Sequence, residues 1–389
     1  MESLIYLDNA ATAWPKPDSV YEFMDSFYRS NGVNPGRSGF DMAIGAGDLV
    51  ENTRARLRDF FHGDSAERVV FTYNATDSLN LLIRGVVQKG DHVISTNLEH
   101  NSVLRPLKHL EREGLCEVTW LPFNEKGFID PEDVKQALKP NTRLVIVNHG
   151  SNVIGTIQDL TAIGKVTQEA GVLFGVDASQ TAGVLPIDMH TMHIDLLVTT
   201  GHKAMMGPTG IGVLVVRDHV DVAITRAGGT GVRSAYPYHL EEYPWRLEAG
   251  TLNLVGVAGL WAGQEWIDKT GLDTIYTHEH DLAKVFTEAV REIEGVTLYV
   301  CDDLENHLST ISLNVAGFEA GNTGTLLDVE HNIATRTGLQ CAPKVHEQIG
   351  TDTIHGTVRF SIGAFNTREH IDKAIEGVRE IAEMGQKRL

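Results

Sequence analysis

An acidic residue and a lysine each stand at or just past the end of an apolar run near the middle of this 389-residue chain. Asp177 closes the run 172–177, and Lys203 follows shortly after the run 195–199. A lysine amine can form a Schiff base with an aldehyde cofactor, and a carboxylate can keep a pyridine nitrogen protonated so that the ring accepts electrons. The spacing suits two neighbouring strands joined by a crossover. Together the two residues predict a site for pyridoxal 5'-phosphate (PLP).

Apolar runs of strand length alternate with amphipathic stretches through the first two-thirds of the chain, which predicts βαβ units and a mostly parallel sheet flanked by helices. Ligands of such sheets bind beyond the carboxyl ends of the strands. His100, Asn152, Asp177 and Lys203 each end or follow a predicted strand, so we expect them to meet at one edge of the sheet. The predicted strands are 69–73, 92–96, 118–122, 144–148, 172–177 and 195–199, and the predicted helices are 78–87, 100–113 and 160–169.

The pattern changes from about residue 252 and predicts a smaller α+β C-terminal domain. A closing helix over 367–384 begins at Thr367, which suits an N-cap. The sequence therefore predicts an α/β protein with a large domain over 16–254 and a small domain formed by 1–15 and 255–389. The other elements predicted for the small domain are helices over 255–270 and 273–293 and strands over 297–300, 308–315 and 357–361.

The composition argues against several classes of partner. The formal net charge of −19 disfavours nucleic acid and anionic membrane surfaces, which both reward clustered Lys and Arg. The first residues show no signal-peptide pattern, and no apolar run approaches the ~18 residues of a spanning helix. Cys116, Cys301 and Cys341 form no CxxC pair, so we expect neither a disulfide framework nor a metal site, and a cytoplasmic location.

The cofactor phosphate requires hydrogen-bond donors. Ala75 and Thr76 open a predicted helix, where unpaired N–H groups and the helix dipole favour an anion. Thr200 and His202 flank the lysine and could reach the same phosphate. Small polar residues at a helix start normally serve only as a helix cap. A phosphate site at this helix is therefore predicted only in combination with Asp177 and Lys203.

Two further side chains have both a functional and a structural interpretation. His100 could stack on the cofactor ring and move protons, or it could cap its own helix through residues 101–102. Gln180 could donate to the phenolic oxygen of the ring, or it could be an ordinary polar loop residue.

Arg359 and Cys341 are the candidates for contact with a substrate. A guanidinium is the natural bidentate clamp for a carboxylate, although any arginine can form a surface ion pair. Cys341 lies in a loop that contains Gly338 and Pro343, where a thiol is more exposed than in a strand. Cys116 and Cys301 are expected to be small core residues.

The chain resembles the class V aminotransferase family, fold type I of the PLP-dependent transferases. Among its members it is most similar to the SufS-like cysteine desulfurases and selenocysteine lyases, and the resemblance covers nearly the whole chain. The motifs that carry it are YLDNAAT at 6–12, EHN at 99–101, HGSNVIGT at 149–156, DASQ at 177–180, GHK at 201–203, EAGT at 248–251, RTG at 336–338, CA at 341–342 and FNT at 365–367.

The resemblance implies a role for each candidate. Lys203 would carry the cofactor, and the cofactor-binding residues would be Ala75, Thr76, His100, Asn152, Asp177, Gln180, Thr200, His202 and Thr251. Thr251 would reach the phosphate of a neighbouring subunit, which implies a homodimer. Asn152 and Arg359 would hold the carboxylate of L-cysteine or a related amino acid. Cys341 would attack the substrate sulfur, leaving a persulfide and L-alanine, and a sulfur-acceptor protein would collect the sulfur.

Three departures from the family pattern concern the substrate rather than the cofactor. Gly36 and the pair 339–340 replace histidines that stand there in desulfurases of this type, and the segment from Cys341 to Arg359 is longer. His346 or His355 could replace the missing histidines. Two alternatives remain: an aminotransferase or a C–S β-lyase of the same family, and a non-enzymatic scaffold that keeps a relic site.

Overall fold

The structure, a computed structural model, describes residues 4–35, 39–299 and 304–388. Gly36 and Cys301, both considered above, lie outside the described residues, as does the end of the strand predicted over 297–300. Across the described ranges, no helix combines the length and the apolarity that a membrane crossing requires.

Helices and strands alternate along most of the chain. The strands are β1 (Ile5–Tyr6), β2 (Val69–Thr72), β3 (Asp91–Thr96), β4 (Cys116–Leu121), β5 (Thr142–Asn148), β6 (Leu173–Asp177), β7 (Leu196–Thr200), β8 (Gly212–Val216), β9 (Val296–Leu298), β10 (Thr310–Val315), β11 (Ile333–Ala334), β12 (Arg336–Gly338) and β13 (Thr357–Ser361). The helices are α1 (Asp18–Asn31), α2 (Asp41–Phe60), α3 (Ala75–Val86), α4 (Asn101–Arg112), α5 (Pro131–Ala137), α6 (Leu160–Ala170), α7 (Leu254–Thr270), α8 (Leu272–Arg291), α9 (Ala320–His331), α10 (Pro343–Ile349) and α11 (Arg368–Gln386).

A mostly parallel sheet carries the residues predicted to do chemistry. Within the described residues it has seven strands in the order β2-β8-β7-β6-β5-β3-β4, and β8 alone runs antiparallel to its neighbours. Every residue of β7 and β8 is buried, as expected for strands covered on both faces. The prediction of an α/β fold with a mostly parallel sheet is confirmed.

The sequence predicted six strands of this sheet, but it misplaced the start of one helix and missed several other elements. Each of the six predicted strands is present within two residues at either end. The helix predicted from residue 78 begins at Ala75, because the Asn74 side chain accepts a hydrogen bond from the backbone N–H of Asp77 and so caps it earlier. Strand β8 and helices α1, α2 and α5 were not predicted.

The C-terminal part builds a second core around an antiparallel sheet of order β12-β13-β10-β9. Helices α8, α9 and α11 pack on it, and the Thr367 side chain caps α11 as predicted. Ile5 and Leu7 lie in this core, and β1 pairs with β11. Helix α7 instead packs on α1 and α2. The boundaries of the two predicted domains, including the one at residue 255, stay predictions.

A buried ion pair fixes the segment that leads to Thr251. Both terminal nitrogens of Arg54 in α2 bind the Glu248 carboxylate at 2.7 Å, and Glu248 also accepts the backbone N–H of Phe71 in β2 at 2.7 Å. Arg54 and Glu248 are 1% and 6% exposed, so each charge depends on the other for compensation.

We expect Glu248→Gln to lower the free energy of unfolding by about 3–5 kcal/mol, because it leaves the buried Arg54 charge with only the exposed carboxylate of Glu51 beside it. Glu51 provides the matched control, since it also contacts Arg54 but its side chain is 67% exposed. Glu51→Gln should change stability by less than about 1 kcal/mol. Denaturant unfolding of the three proteins measures both values, and equal losses in the two variants would contradict this account.

Candidate active site

A cavity of about 240 Å³ opens at the carboxyl edge of the central sheet. It collects residues from the N-terminal segment, the central sheet and the C-terminal sheet. Of the predicted site residues, those that line it are Ala75, Thr76, His100, Asn152, Asp177, Gln180, Thr200, His202, Lys203, Cys341 and Arg359. The expected convergence at this edge is therefore observed.

Asp177 ends β6 with one carboxylate oxygen already engaged. Its Oδ1 accepts from the backbone N–H of Ser179 at 2.9 Å and from the Ser179 hydroxyl at 2.5 Å. Within the described part of the chain, Oδ2 has no hydrogen-bond donor. The carboxylate is thus oriented by Ser179 and keeps one oxygen available to a cationic group in the cavity.

Lys203 lies in the tight turn that follows β7. The turn is closed by the hydrogen bonds Gly201 N to Ile211 O and Gly207 N to Gly201 O, and a Cβ on Gly201 would overlap the side chain of Ile211. Burial lowers the pKa of Lys203 to about 8, against the opposing effect of Asp177. The unprotonated amine needed for nucleophilic and proton-transfer chemistry is therefore accessible near neutral pH.

His100 both caps its helix and lines the cavity, so its two interpretations are compatible. The backbone N–H of Ser102 donates to Nδ1 at 3.1 Å, which places the proton of the neutral ring on Nε2. Burial lowers the pKa of His100 to about 4, and the nearby charge of Lys203 acts in the same direction. The ring is neutral at physiological pH and has a defined tautomer.

The N-terminus of α3 supplies unpaired donors to one end of the cavity. The Asn74 side chain satisfies the N–H of Asp77, which leaves the N–H groups of Ala75 and Thr76 without a partner in the helix. The Thr76 hydroxyl bonds that of Ser102 at 2.7 Å. Such a helix start suits a phosphate group.

Gln180, Thr200 and His202 are held by nearby backbone or hydroxyl groups. The Gln180 side-chain amide donates to Ala10 O at 3.0 Å, and the Thr200 hydroxyl donates to Ile211 O at 3.4 Å. His202 Nδ1 lies 3.1 Å from Thr12 Oγ1. All three line the cavity, and their contacts with a cofactor stay predictions.

Arg359 is buried rather than part of a surface ion pair. It donates from one terminal nitrogen to Asp8 Oδ1 at 2.5 Å and from the other to Asn152 O at 2.9 Å. Its Nε, and the Oδ1 atom of Asn152, are buried without a partner in the described residues. A buried unpaired donor beside a cavity is the arrangement expected where a ligand completes the hydrogen bonding.

Cys341 is exposed and its side chain reaches the cavity wall. Its carbonyl accepts from Asn101 N at 2.7 Å, which ties the loop to the start of α4. Cys116, expected in the core, is half-buried in β4, and burial raises the pKa of its thiol to about 11. Of these two cysteines, only Cys341 lines the cavity.

Several lining residues were missed by the sequence reasoning. The missed lining residues are Ala10, Ala11, Asn74, Ser102, Asn148, Gly150, Ser179, Arg336 and Gln340. Asp8, which binds the lining residue Arg359, was also missed. It stands in the motif at 6–12, but its partner is 351 residues away along the chain.

Thr251 does not line this cavity. It lies with Arg54, Trp245 and Glu248 at a second cavity of about 410 Å³. A role for Thr251 at the phosphate of another subunit stays a prediction.

Glu99 is a buried acid directly behind the cavity. Its Oε1 accepts from Thr96 Oγ1 at 2.8 Å and from Asn148 N at 3.0 Å, whereas Oε2 is buried without a partner in the described residues. Burial raises the pKa of Glu99 to about 8 in spite of these hydrogen bonds. Glu99 is therefore mainly a neutral carboxylic acid at neutral pH, and the nearby Asp177 acts on its pKa in the same direction as burial.

The protonated state of Glu99 predicts that the difference in stability between Glu99→Gln and the wild type depends on pH. Between the ordinary pKa of 4.5 and the folded value of about 8, the folded wild type keeps a proton that the unfolded chain releases. Its free energy of unfolding should therefore fall with rising pH by about 1.4 kcal/mol per pH unit through this residue, and the variant should lack this contribution.

Denaturant titrations of unfolding from pH 5 to pH 8 measure the effect. Buried Glu279, with a pKa of about 8, adds a slope of the same sign and is present in both proteins. The control is Glu113→Gln, at an exposed position, which should parallel the wild type at every pH. A constant stability difference between Glu99→Gln and the wild type would show that Glu99 does not hold its proton.

The donor set fits PLP. A half-buried lysine, an oriented carboxylate with one available oxygen, a neutral histidine and a helix N-terminus surround one cavity. Among the residues described, no group of three or more His, Cys, Asp and Glu side chains is placed to hold a metal ion.

Comparisons with known proteins give the family. The chain is 32% identical to a cysteine desulfurase from Pectobacterium atrosepticum, in an alignment that covers 98% of this chain and 93% of that protein. It is 34% identical to the cysteine desulfurase IscS of Vibrio campbellii, with 97% and 93% of the two chains covered.

A solved structure of a cysteine desulfurase from Thermococcus onnurineus NA1 superimposes with a TM-score of 0.92 at 34% identity, covering 98% of this chain and 95% of that one. The family profile described as aminotransferase class-V matches residues 5–374. The chain belongs to the class V aminotransferase family, whose members depend on PLP.

Proposed function

We propose that this chain is a PLP-dependent cysteine desulfurase, which takes sulfur from L-cysteine as a persulfide on Cys341 and releases L-alanine. One observation carries the proposal: the exposed thiol of Cys341 lines the same cavity as Lys203, Asp177 and Arg359. The names of three relatives support it, because these proteins are similar to this chain over nearly its whole length and are named cysteine desulfurases.

Residues from three strand ends and one helix would hold the cofactor. Asp177 Oδ2 would pair with the ring nitrogen, and the N–H groups of Ala75 and Thr76 would bind the phosphate. His100 would cover the ring, and Lys203 would form the covalent attachment. When bound, PLP supplies an aldehyde that takes up the substrate amine and a ring that withdraws electrons from the substrate.

Different residues of the chain would bind the substrate, remove its α-proton and take its sulfur. Arg359 and Asn152 bind the carboxylate, using the Nε of Arg359 that lacks a partner in the described residues. The Lys203 Nζ takes the α-proton. The Cys341 thiolate attacks the substrate sulfur, so an S–S bond forms and the Cβ–S bond breaks with its electron pair on carbon. Protonation of that carbon, together with return of the proton from Lys203 Nζ to the α-carbon, gives L-alanine, and the outer sulfur stays on Cys341.

Product analysis with L-cysteine tests the proposal and separates it from the alternatives. The PLP-loaded protein is incubated with L-cysteine and a reductant, and alanine, pyruvate and sulfide are quantified. We expect alanine and sulfide in equal amounts. Pyruvate in place of alanine would instead identify a C–S β-lyase, a different keto acid an aminotransferase, and no cofactor binding at all a scaffold with a relic site.

We also propose the assembly and location that accompany this activity. The chain would work as a homodimer in the cytoplasm, with Thr251 reaching the phosphate in the neighbouring subunit, and a sulfur-acceptor protein would collect the persulfide. Support for the dimer comes from Thr251, which does not line the cavity that contains Lys203 but lines a second cavity. We also propose the large domain over 16–254 and the small domain over 1–15 and 255–389. The separate core around the C-terminal sheet supports this division, whereas α7 contributes to the core of the large part.

A further inference from the structure

The backbone that carries Cys341 is in a conformation that needs support. Gln340 and Cys341 have φ values of 40° and 59°, in the left-handed region, and Gly338 before them has a φ of 95°. Each non-glycine residue in this region costs about 1–3 kcal/mol unless its surroundings stabilise it. Two such residues in a row, at the candidate nucleophile, call for a specific set of contacts.

The side chain of Gln340 supplies those contacts from beneath the loop. It is 5% exposed, its Nε2 donates to Thr357 O at 2.8 Å, and its Oε1 lies 2.7 Å from His346 Nε2. An amide oxygen carries no proton, so Nε2 of His346 must be the donor. This side chain joins the loop to β13 and to α10.

His346 is itself fixed on its other side. It is fully buried, and its Nδ1 lies 2.7 Å from Thr351 Oγ1. Because Nε2 carries the proton of the neutral ring, Nδ1 accepts from the Thr351 hydroxyl. Burial lowers the pKa of His346 to about 4, which keeps the ring in this neutral form. His346 is therefore not placed to relay protons to the thiol, as considered from the sequence.

The same loop is bound to the cavity through its backbone. Asn152 Nδ2 donates to Gln340 O at 2.7 Å, and Asn101 N donates to Cys341 O at 2.7 Å. Asn152 O in turn accepts from Arg359. A displacement of Gln340 would therefore move both the thiol and a group proposed to bind the substrate carboxylate.

We infer that His346 is a positioning residue: through Gln340 it holds the Cys341 thiol at the distance from the cavity that sulfur capture requires. The inference deepens the proposed function and rests on it. His346 does not line the cavity, so it affects the reaction only through the loop. The hydrogen bonds of this assembly, from Thr351 through His346 and Gln340 to Cys341, form what we term the thiol clamp.

Alkylation of Cys341 without substrate tests the thiol clamp independently of the reaction. Iodoacetamide labelling of the PLP-loaded protein, resolved by peptide mass, gives the rate at Cys341, with Cys116 as an internal standard for an intact fold. His346→Ala should change the Cys341 rate by about threefold or more, and His346→Gln, whose amide can still donate to Gln340, should restore most of it. His62→Asn, at an exposed position far along the chain that has the same left-handed backbone conformation, is the matched control.

Turnover distinguishes failure of the clamp from failure of the proposed function. With L-cysteine, His346→Ala should lower kcat for alanine about tenfold with the visible absorbance of the bound cofactor unchanged, and His346→Gln should recover it. Thr351→Val removes the support of His346 more gently and serves if His346→Ala does not fold. Wild-type rates of alkylation and turnover in folded His346→Ala or Thr351→Val would overturn the clamp. Absence of alanine from the wild type would overturn the function, and alkylation would still decide whether the clamp exists.

Discussion

We expect Lys203→Ala to lower the rate of alanine formation from L-cysteine at least about 1,000-fold, because one amine provides both the covalent attachment of the cofactor and the base for the α-proton. The side chain lies in the cavity, and its pKa of about 8 makes the free amine available. Alanine quantification measures the loss. Borohydride reduction of the wild type followed by peptide mapping should place the cofactor on Lys203, and the variant should carry no label.

Lys165→Ala is the control for this prediction. Lys165 is exposed on α6, so its removal should leave both alanine formation and labelling as in the wild type. A label on any residue other than Lys203 in the wild type would contradict the assignment of the whole site, including the role of Asp177.

The second large effect concerns Cys341. Cys341→Ala should lower sulfide and alanine formation by a factor on the order of 1,000 or more, because no nucleophile remains to take the sulfur. Cofactor binding should persist, since the groups proposed to hold PLP do not include this thiol. Absorbance spectra and product quantification on the same sample measure the two properties separately.

Cys116→Ala provides the matched cysteine control. Cys116 is half-buried in β4 with a pKa raised to about 11, so its thiolate is scarce and its loss should not affect turnover. If Cys341→Ala retained turnover and released pyruvate, the enzyme would be a C–S β-lyase, whose chemistry requires Lys203 but no acceptor thiol.

The sequence predicted the edge of the sheet better than it predicted the loops. The apolar run before Asp177 and the one before Lys203 sit on adjacent parallel strands, and the carboxyl ends of such strands meet by geometry. This rule placed His100 and Asn152 correctly as well. Strand β8 was missed because a short apolar run after a glycine-rich turn fits a loop, a strand or a buried helix equally well.

Local sequence patterns could not predict hydrogen bonds between residues that are far apart along the chain. The bond between Arg359 and Asp8 joins residues that no periodicity connects, and an arginine that alternation placed on one face of a short strand proved to be buried. The hydrogen bonds of the thiol clamp were missed for the same reason. Gln340 stood out in the sequence only as a departure from a family pattern, and its significance depends on His346, which folds back from α10.

The bond between Asp8 and Arg359 also bears on when the site can exist. The two residues are 351 positions apart, so almost the whole polypeptide must be synthesised before they meet. Lys203, Asp177 and the start of α3 emerge from the ribosome well before the segment that contains Cys341 and Arg359. A nascent chain could thus present the amine and the phosphate-binding helix while it still lacks the groups for amino-acid recognition and sulfur capture.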